Sequence, residues 1–130
     1  MNVAVRYYSR TGNTKAVAEA IAKAAGVEAV NVDSANAKLS EPLDVLFIGG
    51  ALYAYGIDNH LKNYLKTLKK EDVKKAVVFS TSWISKHSIE LIKKYLSEAG
   101  IHIADEAFYV KNKPNASQLK EAELFAEKHL

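Results

Sequence analysis

Three hydroxyls, an amide and a glycine crowd into Ser9-Arg10-Thr11-Gly12-Asn13-Thr14. The hydroxyls of Ser9, Thr11 and Thr14 beside free main-chain N–H groups form a donor set suited to an anion. Gly12 lets the backbone approach that anion closely. Two other stretches hold aromatic residues where polar turns are expected: Ala51-Leu52-Tyr53-Ala54-Tyr55-Gly56 and Ser80-Thr81-Ser82-Trp83. Leu52, Tyr53, Tyr55 and Trp83 offer two walls for a flat apolar ring. The chain has no cysteine, which removes disulfides, thiolate nucleophiles and iron–sulfur ligation together, so redox chemistry here needs a bound cofactor. His60, His87, His102 and His129 share no helix at ligand spacing, so no metal site and no catalytic side chain is expected.

The elements around these stretches follow from hydrophobic periodicity. Residues 2–8 read as a buried strand, and Val17, Ile21 and Ala24 give the stripe of a helix beginning at Lys15 and ending near Gly26, a C-cap. The anion loop therefore lies at a helix N-terminus, where unpaired N–H groups and the helix dipole favour negative charge. Residues 27–32 predict a second strand and residues 33–42 a polar, irregular connection. Residues 43–48 predict a third strand, apolar almost throughout, as strands covered on both faces are. A helix from about Asp58 carries Leu61, Tyr64, Leu65 and Leu68 on one face. A fourth strand with its core at residues 76–79 runs into the Ser80–Ser85 loop, and Ile89, Ile92, Leu96 and Ala99 stripe the next helix. Residues 101–110 form the fifth strand region, bent around Asp105-Glu106. Asn115 caps the last helix with Gln118 as its capping-box partner. Strands alternating with helices predict a three-layer α/β sandwich on a five-stranded parallel sheet in the order 2-1-3-4-5, one domain over residues 1–130. In that topology the loops after strands 1, 3 and 4 emerge at one sheet edge, beside the point where strand order reverses. Those are the three unusual stretches.

The first loop resembles the phosphate-binding loop of the flavodoxin family, Ser/Thr-x-Thr-Gly-x-Thr directly after strand 1, and all four patterned positions match. The resemblance spans nearly the whole chain and implies a non-covalently bound flavin mononucleotide (FMN). Ser9, Thr11, Gly12, Asn13 and Thr14 would contact its phosphate, with Arg10 at the pattern's free position. The family likewise clamps the isoalloxazine between the loops after strands 3 and 4, which implies ring contacts from Ala51, Leu52, Tyr53, Tyr55, Gly56, Ser80, Thr81, Ser82 and Trp83. The implied role is electron transfer between redox partner proteins. The alternative is a small FMN-dependent oxidoreductase acting on a quinone, a nitro compound or a porphyrin, but 130 residues leave no insertion to build a pocket over the ring. A flavin-free response-regulator receiver needs acidic residues after strand 1 and an aspartate ending strand 3. This chain has Ser9-Arg10 and Gly49-Gly50 there.

Hydrophobic residues make up 48% of the chain and charged residues 25%, a balance that fits a folded domain. No apolar run reaches membrane-spanning length and no leader is legible, so the expected compartment is the cytoplasm. The net charge is +3 and the pI near 9.0, which raises the question of nucleic acid. Lys66, Lys69, Lys70, Lys74 and Lys75 fall on the sheet edge opposite the anion loop with no aromatic among them, and so read as a solvated face. Lys86, His87, Lys111 and Lys113 instead fall on the loops at the predicted flavin edge. They imply a redox partner with an acidic docking face. Arg6 sits within the first strand, where its guanidinium must find a carboxylate or reach solvent.

Overall fold

In a computed structural model that describes residues 1–53, 56–83 and 85–130, the sheet is built from β1 (Val3–Tyr8), β2 (Ala29–Asn31), β3 (Val45–Gly50), β6 (Ala76–Ser82) and β7 (Phe108–Lys111). Their order is β2-β1-β3-β6-β7, all parallel. This is the predicted 2-1-3-4-5 order with one addition. The loop after β3 folds into an antiparallel hairpin, β4 (Leu52–Tyr53) and β5 (Gly56–Ile57), outside the main sheet. The helices are α1 (Asn13–Ala25), α2 (Asn59–Thr67), α3 (His87–Glu98) and α4 (Ala116–Lys128). None is long and apolar enough to cross a membrane.

Both faces of the sheet are covered, which is why the central strands are apolar without alternation. Every residue of β3 and β6 is buried. Val5, Tyr7, Phe47, Val77 and Phe79 face one way and pack with Val17, Ile21, Ala122 and Ala126 of α1 and α4. Ala4, Leu46, Ile48, Ala76 and Val78 face the other and pack with Leu61, Leu65, Ile92 and Leu96 of α2 and α3. The two-residue alternation of the strands thus meets a helical stripe on each side.

The fifth strand region bends as expected. Ile103 bridges Ala76 and Phe108 pairs with Phe79, so two more residues lie between Ile103 and Phe108 than between their partners. Asp105-Glu106 falls in that excess. The Asn115 side chain accepts from Gln118 N (2.8 Å) while Gln118 Oε1 accepts from Asn115 N (3.0 Å), completing the predicted capping box. The irregular connection contains one 3₁₀ turn, Ala35–Ala37.

That turn settles the surroundings of Arg6, which is 9% exposed. Its Nε donates to Ala37 O (2.9 Å) and its Nη1 to Val5 O (3.1 Å), and Tyr64 Oη donates to the same Ala37 carbonyl (2.6 Å). The guanidinium therefore meets main-chain carbonyls, not a carboxylate or open solvent. It staples the connection between β2 and β3 onto the sheet face. Burial pushes the Tyr64 phenol up, with Arg6 pulling in the opposite direction.

Candidate functional site

The loop between β1 and α1 is shaped by its own side chains. Ser9 Oγ accepts from Gly12 N (3.0 Å), and Gly12 turns the chain into α1 at φ 91°, a left-handed conformation that suits glycine. A Cβ built there would find nothing within 4 Å, so the loop has an open face. No side chain caps α1 and no acidic residue stands in its first turn. The positive end of the helix is therefore left to Ser9, the exposed Thr11 and Asn13, a donor set that suits a phosphate.

Thr14 is different, being 1% exposed, with Oγ1 2.7 Å from Thr81 Oγ1 in β6. In such a pair one hydroxyl donates to the other, and the acceptor keeps its own proton for a third group. This bond ties the β1–α1 loop directly to β6, the strand that leads into Trp83.

The second and third loops are held by a further hydroxyl relay. Ser80 Oγ donates to Gly50 O (2.6 Å) and lies 2.5 Å from Ser88 Oγ. Ser82 Oγ accepts from Leu52 N (3.1 Å), and Tyr109 Oη donates to Ser82 O (2.9 Å). The side chains of Ser80 and Ser82 thus fix the ends of β3 and β6 and anchor the hairpin that carries Tyr53. Ala51 and Leu52 are half-buried along this path. Trp83 is 68% exposed at the same edge. Tyr55, with Ala54 and Ile84, lies outside the described residues.

Tyr53 does not stand alone. The Arg10 guanidinium carbon lies over its ring, 3.9 Å from the centroid, within cation–π range. Burial pushes the Tyr53 phenol up, while the Arg10 amide and charge pull it down. The same guanidinium reaches Asp58 Oδ2 from Nε (3.1 Å) and Nη2 (2.5 Å). Asp58 caps α2, its Oδ1 accepting from His60 N (2.7 Å) and lying 2.8 Å from His60 Nδ1. The His60 ring in turn stacks on Tyr8 at 4.9 Å, nearly parallel. Burial alone would raise the Asp58 carboxyl, but bonds from Arg10 and His60 outweigh it and hold it below its ordinary value; Arg10 is raised correspondingly, chiefly by its bond to Asp58.

Asp58, His60 and Tyr8 are the residues that sequence reading passed over. An aspartate just before a helical stripe signals a cap, but nothing local links it to Arg10, 48 residues away. Among the cations, Lys86 lies 5.5 Å from the Tyr109 ring centroid and Lys111 is in register with Ser82, so both stand beside Trp83's strand. Lys113 is exposed, and His87 Nδ1 is 3.4 Å from Glu90 Oε2.

Comparison with known proteins fits this arrangement. The family model described as the flavodoxin domain matches residues 4–125. No curated protein matches the chain. Among solved structures, rubredoxin:oxygen oxidoreductase from the anaerobe Desulfovibrio gigas superposes with a TM-score of 0.84 at 18% identity, over 96% of this chain and 34% of that one. The chain thus spans about a third of that protein. An archaeal flavodoxin superposes with a TM-score of 0.78 at 22% identity, over 98% of this chain and 95% of its own, and Flavodoxin 1 from Bacillus cereus with 0.79 at 20%, over 98% and 99%. Identities this low speak for the fold only. The family match is what carries further, because it runs from β1 into α4 through every loop of the site: the chain belongs to the flavodoxin family.

Proposed function

We propose that the chain binds FMN non-covalently at this edge and passes electrons between redox partner proteins. The observation that carries the reading is the Thr14–Thr81 bond, which joins an uncapped anion loop to the strand end bearing Trp83, with Tyr53 alongside. Bound FMN supplies one- and two-electron redox chemistry. The chain's residues supply the rest. Ser9, Thr11, Asn13 and the first amides of α1 hold the phosphate. Thr14 donates to it, with its rotor set by Thr81. Tyr53 and Trp83 keep water from the two faces of the ring, and main-chain groups of residues 80–83 and Gly56 meet its polar edge.

The test is titration of the apoprotein with FMN and with riboflavin, followed by visible absorption. FMN is expected to bind and riboflavin to bind far more weakly. Equal affinities would remove the phosphate loop from the site, and turnover of a quinone with a nicotinamide donor would move the protein to the enzyme class.

Thr14→Val keeps the shape of the buried side chain but deletes its hydroxyl. It is expected to weaken FMN by about 2 kcal/mol, roughly 30-fold in Kd, since a charged oxygen loses a donor and Thr81 loses its partner. Riboflavin affinity should hardly change, which a parallel titration checks.

Lys86, Lys111 and Lys113 make the edge basic, which supports an acidic docking face on the partner. Exposed charges act mainly on encounter. Association with such a partner is expected to slow as salt is added. A triple Lys86→Gln, Lys111→Gln, Lys113→Gln variant should lose most of that salt dependence and have a lower flavin reduction potential, because cations near the ring favour added electrons. Stopped-flow association and a redox titration measure the two effects.

A further inference from the structure

We propose that Arg6 and the connection between β2 and β3 form a second ligand site, for a small monocarboxylate, toward the sheet edge opposite the Ser9–Thr14 loop. The inference stands apart from the flavin-site reading and uses none of its residues.

The other three crossovers of the sheet each carry an α-helix: α1 between β1 and β2, α2 between β3 and β6, and α3 between β6 and β7. The crossover from β2 to β3, residues 32–44, holds only the 3₁₀ turn Ala35–Ala37. It packs on the α2 and α3 side of the sheet through Val32, Leu39 and Leu43. An α-helix with its side chains is roughly 10 Å across, and one short turn covers less of the strands beneath it. A cavity of about 280 Å³ lies there, between β1 and residues 36–43.

Arg6 lines that cavity. It is 9% exposed and makes no ion pair among the described residues. Its Nε and Nη1 are bonded to Ala37 O and Val5 O, and its Nη2 has no hydrogen-bond partner among the described residues. Nη2 is not sealed off either, since His129 Nε2 alone among the described side-chain nitrogens and oxygens is both buried and unpartnered. A buried charge with no counter-ion is costly, and an anion that reaches it from the cavity relieves that cost.

The lining selects among anions. The guanidinium fork matches the planar carboxylate, and Ala4, Leu39 and Leu43 give a short hydrocarbon tail an apolar wall. Asn36 and Ser40 add neutral polar groups. Lys38, Glu28 and Glu41 stand at the exposed rim. Exposed charges are screened while the buried Arg6 is not, so the interior favours an anion and the two rim carboxylates count mainly against a second negative charge. The volume falls below the range of about 300 to 1,000 Å³ usual for drug-sized ligands, so the occupant is small.

The test titrates propionate into the full chain, with propionamide and inorganic phosphate as comparators, and reads the amide resonances of residues 36–41 and the thermal midpoint. Propionate is expected to shift those resonances to saturation and to raise the midpoint. Propionamide, which has the shape without the charge, should do neither, and phosphate should bind about fivefold more weakly than propionate. Arg6→Lys keeps the charge but loses the fork and should weaken propionate about tenfold. Because Arg6 also holds the connection in place, exposed positions provide the second measurement. Lys38→Gln should weaken propionate about twofold, and the double variant Glu28→Gln, Glu41→Gln should strengthen phosphate more than propionate. The proposal is overturned if propionate and propionamide act alike, if the shifts do not saturate, or if the preference for propionate over phosphate is unchanged in the double variant. Saturating FMN should leave propionate affinity as it is. Competition between the two would place the carboxylate in the Ser9–Thr14 loop and overturn the proposal as well.

Discussion

Gly49→Ala is expected to destabilise the protein by about 3 kcal/mol, at the upper end of what overpacking costs. Gly49 lies within β3 in register with Phe79 of β6. A Cβ there would stand 2.3 Å from Phe79 O and 2.4 Å from Phe79 Cδ2. The first obstacle is main chain and cannot rotate away, and the second is a fully buried ring. Relief would have to come from separating two central strands of the sheet, whose spacing is set by their hydrogen bonds. Gly50 provides the control. Its Cβ would meet Leu61 Cδ2 at 2.4 Å, with the next atoms at 3.7 Å, so rotation or a small shift of one side chain relieves it. Gly50→Ala is expected to cost about 1 kcal/mol. Urea unfolding of the two variants measures the difference, and equal losses would mean that β3 and β6 yield more easily than a buried sheet should. The pair also explains why β3 ends in two glycines: the strand must pass close to Phe79 and Leu61 before it turns into the hairpin that carries Tyr53.

What the sequence made legible was what is local or periodic. The central strands read as apolar runs because the sheet is covered on both faces, and the order of strands followed from their alternation with helices. The Asn115–Gln118 capping box was visible because its two halves are three residues apart. The loop from Ser9 to Thr14 stood out because its hydroxyls and amide lie together in sequence. The site's internal wiring was not, because its bonds span the chain: Thr14 meets Thr81 across 67 residues, Arg10 meets Asp58 across 48 and Leu52 meets Ser82 across 30. A hydroxyl or a guanidinium carries no mark in sequence of which distant partner will satisfy it. The β4–β5 hairpin was missed for a related reason, since strands of two residues are too short for alternation to register. Arg6 shows the limit from the other side. Its burial demanded a partner, and reasoning from charge pointed to a carboxylate or to solvent, whereas main-chain carbonyls supplied it, one of them in a 3₁₀ turn 31 residues away.

Asp58 joins three parts of the molecule, and Asp58→Ala is expected to cost about 2 to 3 kcal/mol of stability. Removing the N-cap of α2 accounts for about 1 kcal/mol. The rest comes from the charge-assisted bonds of Arg10 and from the His60 groups left without their acceptor; Arg10 is more than half exposed, so its charge returns to water and the loss stays below that of a fully buried pair. Asp58→Asn keeps an oxygen for the His60 amide and should cost about half as much. Its value is in separating charge from capping. Bonds from Arg10 and His60 hold the Asp58 carboxyl below its ordinary value in the folded protein. A depressed carboxylate contributes stability that is fully present above its unfolded pKa, about 4, and is lost as pH falls from there through the folded value. The stability difference between wild type and Asp58→Asn should therefore hold steady from pH 7 down to about 5 and shrink below about 4. Comparing the two proteins at each pH cancels the titration of every other carboxylate. A difference that stays constant down to pH 3 would mean that the Arg10–Asp58 pair contributes no charge-dependent stability and that Asp58 acts only as a cap.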